Sequence, residues 1–368
     1  MEKNREIIFS VFFIGAMIFF LSLLLCFGQK EEYSLSERRK LKEFPRITLE
    51  SLKKGELGKE LEEYTLDHFP FREEFRGLKN LVDQGIFRKS DQGGLYEREG
   101  YLVKMEYPLN REMLEYGAEK LQGIYERYLK DSGSSCYLSL IPDKNYFLGK
   151  KHGMLTIDYE LMFRQFSESL SFAKYLDITG LLSIEDYYQT DTHWRQERLP
   201  EVAEYLGKEM GVQVAASYDK LKTNQPFAGV YAGQWSLPVE GEELYYLTNE
   251  ILENCKVYSV GEKTLISDGI YDLEKLKDKD PYEMFLSGNK AILVIENPAV
   301  KEKKELIVFR DSFASSLVPL LVPGYSKITL VDIRYVQSNI LERYIDFQNQ
   351  DVLFLYSSLI LNQSRSFK

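Results

Sequence analysis

The chain has 368 residues, of which 44% are hydrophobic and 28% charged, a balance typical of folded globular proteins. Its formal net charge is −10 and no basic stripe interrupts the acidic background, so we expect no nucleic-acid partner, because phosphate contacts dominate that affinity. The three histidines and three cysteines lack the spacing of zinc ligands, and we expect no metal site. Cys136 and Cys255 could pair in an oxidising compartment, but buried free thiols are the favoured interpretation.

The first apolar segment predicts a membrane anchor. Ile7–Phe27 carries no charge over 21 residues, and at about 1.5 Å per residue it can span a hydrocarbon core of about 30 Å. Lys3 and Arg5 precede it, so the positive-inside rule places the N-terminus in the cytoplasm and the rest of the chain outside. The alternatives are a cleaved signal peptide and a lipoprotein cysteine at Cys26, but no A-x-A-like site follows and a bulky leucine precedes the cysteine. We therefore expect residues 1–28 to be an uncleaved, single-pass anchor in the cell membrane.

Periodicity and breaker residues divide the rest of the chain into elements. Residues 29–47 form a charged tether, and helical periodicity covers 48–88 with a break at Pro70. Residues 216–300 contain aromatic and β-branched runs broken by glycines and charged turns, which predicts a β-rich insertion. Between these regions the patterns predict helices at about 109–130, 157–174 and 195–210, and strands at 100–103 and 136–141.

The C-terminal part has the alternation of an α/β protein. Three short apolar runs are typical of buried parallel strands, and they lie at 306–309, 328–331 and 352–356. The segments 313–321 and 335–346 between them fit crossover helices. Residues 48–362 are therefore expected to form one α/β domain on a doubly wound parallel sheet, which carries the insertion at 216–300.

One serine stands where α/β proteins place functional groups. In Phe309-Arg310-Asp311-Ser312-Phe313 a buried strand ends, the serine follows, and a helix begins. This order exposes the Ser312 hydroxyl at the carboxyl edge of the sheet and directs N–H groups of the helix start towards a developing oxyanion. The alternative is a serine that only caps the helix, and for this pentapeptide alone it is the commoner role.

A histidine beside a carboxylate could serve as the base for such a serine. Asp191 and His193 lie two residues apart in Asp191-Thr192-His193-Trp194, so in extended backbone they project to the same side. A neutral imidazole accepts a serine proton when a carboxylate fixes its tautomer. His68 lies in a helical segment and His152 follows two lysines, which makes His193 the best candidate. A structural histidine remains the alternative, since an isolated D-x-H pattern is weak.

Taken in order, these motifs resemble those of the DHHW family, relatives of the periplasmic alginate O-acetyltransferases whose fold is SGNH-hydrolase-like. Each motif is modest, but the ordered set covers nearly all of the chain outside the insertion. After the N-terminal anchor, the matching segments are Arg39-Lys40-Leu41 through Phe44-Pro45, Asp67–Arg72, Gly100–Leu102, Ile141–Lys144, Asp191–Trp194, Arg310–Phe313 and Val331–Tyr335.

The resemblance implies a catalytic triad. Ser312 would be the nucleophile that carries the acetyl group, His193 the general base, and Asp191 its orienting carboxylate. Two departures from the SGNH pattern leave the oxyanion donor unassigned: Arg310 stands where a GDS signature has glycine, and no GxND block is present.

Three residues are candidates for oxyanion or substrate binding. Arg334 and Tyr356 each follow or end a predicted parallel strand, and Lys144 follows the strand at 136–141. Each has a plainer alternative. These are an ion pair with Asp332 or Asp311 for Arg334, core packing for Tyr356, and a solvated loop position for Lys144.

The function implied by the resemblance is O-acetylation of an extracellular or cell-envelope polysaccharide through an acetyl-serine intermediate. No cofactor is expected to be bound; the acetyl group would come from a donor, and the resemblance indicates a multipass membrane O-acyltransferase as the partner. A carbohydrate acetylesterase with the same triad is the first alternative, and a non-catalytic polysaccharide-assembly scaffold is the second. The sequence does not separate transfer from hydrolysis, because both proceed through one acyl-enzyme.

Overall fold

The computed structural model describes residues 8–16, 18–19, 22, 32–34, 39–87, 89–214, 217–260, 264–278 and 280–368. The chain divides into two compact units. The first contains the chain up to Gln92 together with Ala232–Pro238, and the second contains Gly93–Tyr231 and Val239–Lys368. Every residue predicted to form the catalytic or substrate site therefore falls in the second unit.

The first unit is mainly helical. Residues 8–16, 18–19 and 22 are helical, and β1 (Tyr33–Ser34) pairs antiparallel with β2 (Arg39–Lys40). Three helices follow, namely α1 (Leu49–Lys54), α2 (Glu56–Asp67) and α3 (Arg72–Gly85). The predicted break at Pro70 is confirmed, since α2 ends at Asp67 and α3 begins at Arg72. Proline lacks the N–H that would continue the hydrogen bonds of α2.

Within the described ranges, no helix is both long enough and apolar enough to cross a bilayer. Nine of the 21 residues of the predicted anchor, Ile7–Phe27, lie outside these ranges, at 7, 17, 20–21 and 23–27. The anchor accordingly stays a prediction.

The second unit contains a hairpin, a two-stranded sheet and a large central sheet. The hairpin is β3 (Leu95–Arg98) with β4 (Tyr101–Lys104), and the small sheet is β7 (Asp219–Phe227) with β8 (Glu242–Thr248). The strands of the central sheet are β5 (Ser135–Ile141), β6 (Lys174–Tyr175), β9 (Lys256–Ser259), β10 (Thr264–Asp268), β11 (Ile292–Glu296), β12 (Glu305–Arg310), β13 (Lys327–Val331) and β14 (Asp351–Ser357).

The central sheet is mixed, with a parallel core. Across the described residues its order is β10-β9-β11-β13-β12-β14-β5-β6, and the five strands from β13 to β6 run parallel. At the other edge β11 pairs antiparallel with β13, and β9 and β10 extend it antiparallel. The predicted parallel sheet is therefore correct at the centre and wrong at this edge. The turn from β9 to β10 is too short for the crossover that parallel pairing requires.

Helices cover both faces of the sheet. Leu306 and Val308 of β12 belong to one core cluster with residues of the helices Pro200–Glu209 and Ala314–Leu321, while Ile307 and Phe309 belong to another with residues of the helices Arg111–Ile124 and Tyr159–Ser169. This alternation follows from the two-residue period of a strand and makes the sheet doubly wound. The helices of the unit are α4 (Arg111–Ile124), α5 (Lys144–Leu148), α6 (Tyr159–Ser169), α7 (Pro200–Glu209), α8 (Val230–Trp235, which ends in the first unit), α9 (Glu250–Glu253), α10 (Ala314–Leu321) and α11 (Ser358–Leu361).

One predicted crossover helix is absent from its expected place. The segment 335–346 contains only the 3₁₀ helix Ser338–Arg343, whereas the helix predicted at 313–321 is confirmed as α10. In this short 3₁₀ helix Leu341 is buried in the core and Ile340 packs partly against it. The other 3₁₀ helices are Lys150–His152, Thr179–Leu181, Ile184–Asp186, Gln196–Arg198, Leu273–Lys277, Pro281–Met284, Val322–Gly324 and Ser364–Ser366, and a π-helix, Tyr125–Leu129, continues α4.

The region predicted as an insertion, 216–300, is divided between two sheets. Within the described part of this region, β7 and β8 form a sheet of their own, whereas β9, β10 and β11 extend the central sheet. Cys136 in β5 and Cys255 just before β9 are buried free thiols that belong to different core clusters. Burial raises the pKa of Cys136 to about 11 and that of Cys255 to about 12, so neither thiol is a reactive thiolate at neutral pH.

Candidate active site

The turn after β12 presents Ser312 at the carboxyl edge of the sheet. Asp311 holds this turn: its Oδ1 accepts the Phe313 N–H at 3.0 Å, and its Oδ2 accepts the Ser357 N–H at the end of β14 at 2.8 Å. Asp311, not Ser312, therefore satisfies the free N–H at the start of α10. The capping alternative for the serine is wrong, and the Ser312 hydroxyl is left to bond elsewhere.

The loop before α7 carries the carboxylate and the imidazole. His193 Nδ1 lies 2.6 Å from Asp191 Oδ1, and the His193 backbone N–H donates to the same oxygen at 3.0 Å. The second carboxylate oxygen of Asp191 accepts the Val230 N–H at 2.8 Å. Asp191 is fully buried, so its charge is stabilised by these donors rather than by water.

The loop and the turn meet through one hydrogen bond. Ser312 Oγ lies 2.8 Å from His193 Nε2, although 119 residues separate the two in sequence. Because the carboxylate of Asp191 can only accept, the Nδ1 proton points to Asp191 and Nε2 is free to accept the Ser312 hydroxyl proton. The predicted convergence of Asp191, His193 and Ser312 is confirmed.

Aromatic rings fix the plane of the imidazole. Tyr282 stacks on the His193 ring with centroids 3.9 Å apart and planes 5° apart, and Phe313 contacts it at an angle from 4.9 Å. Tyr282 donates to Ser316 Oγ at 2.9 Å, and Trp194 Nε1 donates to the Phe313 carbonyl at 2.9 Å. The first bond ties the stacked tyrosine to α10, and the second ties the residue after His193 to the turn before α10, so the ring has little freedom to turn away from Ser312.

Two residues that support the Asp191 loop were not predicted from sequence. Glu242 at the start of β8 accepts three hydrogen bonds, from the N–H groups of Gln189 and Thr190 and from the Thr190 hydroxyl, at 2.6–2.7 Å. Gly229 packs against Asp191 so closely that a Cβ atom there would lie 2.2 Å from the Asp191 Cβ. Glu242 lies among several acidic residues, and nothing in the local sequence separates either residue from its neighbours.

Lys144 lies under the same loop. It is buried, and its Nζ donates to the carbonyls of Tyr188 and Gln189 at 2.9 and 3.1 Å, with the ring of Tyr231 5.0 Å away. The solvated-loop alternative is wrong, because the helix start after β5 turns this side chain inwards. Burial lowers the pKa of Lys144 to about 7, against the opposing influence of Asp191 and two other acidic residues.

The other two candidates are placed differently. Arg334 forms a two-point ion pair with buried Asp332, Nε to Oδ1 at 2.8 Å and Nη2 to Oδ2 at 2.6 Å, which is its plainer alternative. Tyr356 is packed in the core against Phe367, and its hydroxyl has no hydrogen-bond partner among the residues that the structure describes. Neither side chain contacts Ser312 through a hydrogen bond in the described part of the chain.

Arg310 explains how the turn holds without a glycine. The side chain is fully buried, and Nη1 donates to the Asp311 carbonyl, the Ser315 hydroxyl and Asn289 Oδ1 at 3.1–3.3 Å. Its Nε and Nη2 have no partner within the described ranges. Burial lowers the pKa of its guanidinium, yet an arginine stays charged at any ordinary pH. A buried cation therefore lies directly behind the Ser312 turn.

Fold and site together define an α/β protein with an Asp–His–Ser hydrogen-bond chain at the carboxyl edge of its sheet. The fold is similar to that of a DHHW family protein from Eubacterium siraeum (17% identity, TM-score 0.58, covering 74% of this chain and 93% of that one). It is also similar to Bacillus cereus PatB1 (19% identity, TM-score 0.59, covering 73% and 96%), which has been solved with a sulfonyl adduct as well. The O-acetyltransferase domain of Pseudomonas putida AlgJ is more distant (12% identity, TM-score 0.43, covering 73% and 92%).

No protein-family model and no curated protein sequence matches the chain. The predicted resemblance to the DHHW family is confirmed as a likeness of fold. At these identities the likeness concerns the fold alone, so the chemistry must be argued from the residues of this chain.

Proposed function

We propose that this protein is a serine O-acetyltransferase that acetylates an extracellular or cell-envelope polysaccharide through an acetyl-Ser312 intermediate. The observation that carries this proposal is the continuous chain of hydrogen bonds from Asp191 through His193 to Ser312. Such a chain is what nucleophilic acyl transfer needs, because a serine hydroxyl is a weak nucleophile until a positioned base removes its proton. The fold likeness to a DHHW family protein shows that the residues of this chain are held on a similar architecture.

In the first half-reaction the acetyl group moves from a donor to the enzyme. His193 Nε2 takes the Ser312 proton as Oγ bonds to the acetyl carbonyl carbon, and buried Asp191 stabilises the imidazolium. Collapse of the tetrahedral intermediate breaks the bond to the leaving group, which receives the proton from His193. The remaining backbone N–H groups of the Ser312 turn would stabilise the oxyanion, because the Phe313 N–H already donates to Asp311.

In the second half-reaction the acetyl group moves to a sugar. His193 removes the proton of a sugar hydroxyl, whose oxygen attacks the acetyl-Ser312 carbonyl; the ester bond to Oγ breaks and the proton returns to Ser312. No net oxidation or cofactor is involved. A hydroxyl held in the site has a high effective concentration compared with water, so a bound acceptor favours transfer over hydrolysis.

The donor and the compartment complete this proposal. The 21 uncharged residues Ile7–Phe27 support an anchor in the cell membrane, with the N-terminus cytoplasmic and the catalytic unit outside. Acetyl-CoA is a cytoplasmic donor, so a catalytic unit outside the cell needs a partner that carries acetyl groups across. A multipass membrane O-acyltransferase is the partner that fits this requirement.

The first experiment tests the mechanism. With a chromogenic acetyl ester, Ser312→Ala and His193→Ala should each lose at least about 1,000-fold in turnover, since members of such a unit do not act additively. Matched controls are Ser169→Ala, at an exposed position of α6, and His152→Ala, whose ring lies near Glu99; both should keep normal turnover. Normal activity in Ser312→Ala would sink the acetyl-serine mechanism.

A second experiment separates transfer from hydrolysis. The intact enzyme is given the ester together with a panel of acceptor oligosaccharides, and the sugars are analysed by mass spectrometry. Acetylated sugar and faster ester consumption support the transferase. Release of acetate with no acetylated sugar across the panel identifies an esterase with the same triad.

A further inference from the structure

The helix α3 of the first unit is amphipathic, but its apolar side faces outwards. Phe75, Leu78 and Leu81 are between 53% and 58% exposed, and Phe71 directly before the helix is 60% exposed. At 100° per residue Phe75, Leu78 and Leu81 fall on one side of the helix. Ile86 and Phe87, at the end of the helix, are also exposed and extend this apolar surface.

The polar side of α3 faces inwards within the same unit. Asn80 Nδ2 donates to the Trp235 carbonyl at 2.7 Å, and Arg76 Nη2 donates to the Gln234 carbonyl at 3.4 Å. Gly77 lies on this side too, where a Cβ atom would be 3.0 Å from the Ser236 carbonyl oxygen. Packing of the helix thus uses its polar side, which is the reverse of the usual arrangement in a water-soluble unit.

Phe71, directly before α3, combines a strained backbone conformation with an exposed ring. Its φ is +59°, in the left-handed region that bulky residues rarely adopt, and its ring gains little burial there. The ring nevertheless stays exposed, as Phe75 does in the first turn of α3. Four exposed apolar side chains in a row mark an interaction surface rather than isolated exposure.

A lipid bilayer is the occupant that the rest of the unit indicates. The same unit begins with the apolar segment Ile7–Phe27, most of whose described residues are also exposed, among them Ile8, Phe12 and Ile14. The unit thus has two exposed apolar surfaces, and one of them, Ile7–Phe27, has the length of a membrane span. A lipid bilayer is an environment that can bury both of them. Two exposed charges lie on this side of α3 as well, Glu74 between Leu81 and Leu78 and Lys79 next to Phe75, and because their signs are opposite the attraction is apolar rather than electrostatic.

We propose that α3 lies in the membrane interface with Phe71, Phe75, Leu78 and Leu81 inserted among the lipid headgroups and upper acyl chains. The inference rests on the membrane anchor in the proposed function, but not on the triad. It gives the first unit a role: a second attachment point fixes the unit against the bilayer instead of leaving it on a free tether.

The test uses the full-length protein in vesicles. The photoreactive residue p-benzoylphenylalanine replaces Phe75 or Leu78, and the matched control carries it at Glu62, an exposed polar position of α2 in the same unit. After flotation with phosphatidylcholine vesicles and irradiation, positions 75 and 78 should give lipid adducts several-fold more often than position 62. Vesicles that contain one quarter phosphatidylglycerol, and a change from low to high salt, should leave this ratio unchanged.

Three outcomes would overturn the inference. Flotation without lipid adducts at 75 and 78 means that the anchor inserts while α3 stays in water. Adducts of these positions with protein instead of lipid mean that the surface binds a second copy or another protein. Failure of the protein to float excludes both the anchor and the interface helix. None of these readouts depends on Ser312, so a failed triad would be seen separately in the ester assay.

Discussion

Gly229→Ala tests whether the observed packing sets the geometry of the triad. Gly229 follows β7 and immediately precedes Val230, whose N–H holds Asp191. An added Cβ would lie 2.2 Å from the Asp191 Cβ, 2.4 Å from Oδ2 and 2.5 Å from the Cα, and ordinary contact begins at 3.4 Å. The two backbones must therefore separate by about 1.2 Å, the difference between 3.4 and 2.2 Å. No side-chain rotation can relieve contacts with Cβ and Cα.

The magnitude follows from this displacement. A shift of about 1 Å in a catalytic group lowers the rate by about 100-fold, and overpacking of a buried position destabilises a protein by about 1–3 kcal/mol. We expect kcat for the chromogenic ester to fall by about 100-fold in Gly229→Ala, while the protein still unfolds cooperatively in urea. Substrate binding should change less, because Gly229 lies behind Asp191 rather than beside the Ser312 hydroxyl.

Gly123→Ala is the matched control. Gly123 is an exposed residue of α4, and a Cβ atom there would have no neighbour within 4 Å. Its replacement should leave turnover unchanged and raise the unfolding free energy by up to about 1 kcal/mol, the usual gain for alanine over glycine inside a helix. If Gly229→Ala turned over the ester as fast as Gly123→Ala, the link from this packing to the triad would be refuted.

Three further predictions concern the residues around the triad. Glu242→Gln weakens the three hydrogen bonds that hold the Asp191 loop, so the unfolding free energy measured in urea should fall by about 1.5–3 kcal/mol; an unchanged value would contradict the structure. Tyr282→Leu should lower kcat by removing the ring stacked on His193, whereas Tyr282→Phe keeps the ring and should retain most of the turnover. Because burial lowers the pKa of Lys144 from 10.5 to about 7, the unfolded chain binds more protons than the folded one between these pH values. The unfolding free energy should therefore gain up to about 1.4 kcal/mol per pH unit from this group as the pH rises above 7, and Lys144→Met should abolish that gain in urea titrations at pH 7 and pH 9.

The centre of the fold could be predicted because its signal is local. The apolar runs predicted at 306–309, 328–331 and 352–356 lie inside β12, β13 and β14. They could be recognised because a strand that is buried on both faces appears in the sequence as a continuous apolar run. The antiparallel edge could not be predicted, because strand order depends on connections and on which neighbour is available. Residues 335–346 show the same limit: an apolar period fits an α-helix, but the segment forms only a 3₁₀ helix.

The triad was predictable for a different reason. Asp191 and His193 lie together in sequence, and Ser312 follows a recognisable buried strand, so each half of the site has its own signal. The residues that hold the Asp191 loop in place have no such signal in the local sequence. Glu242 and Gly229 support the Asp191 loop through contacts that form only when distant parts of the chain fold together. Glutamate and glycine are common residue types at positions that support no catalytic residue.

Arg310 shows how a departure from a motif can be read once the structure is known. In sequence, the arginine in place of a glycine before Asp311 was a departure from the GDS signature that helped to leave the oxyanion donor unassigned. In the fold, the guanidinium joins the Asp311 carbonyl to the Ser315 hydroxyl, while the Asp311 carboxylate joins the turn to Ser357 on β14. Side-chain hydrogen bonds thus fix the turn from behind, where no substrate has to approach. The front of the turn, with the Ser312 hydroxyl and its bond to His193, stays open for chemistry.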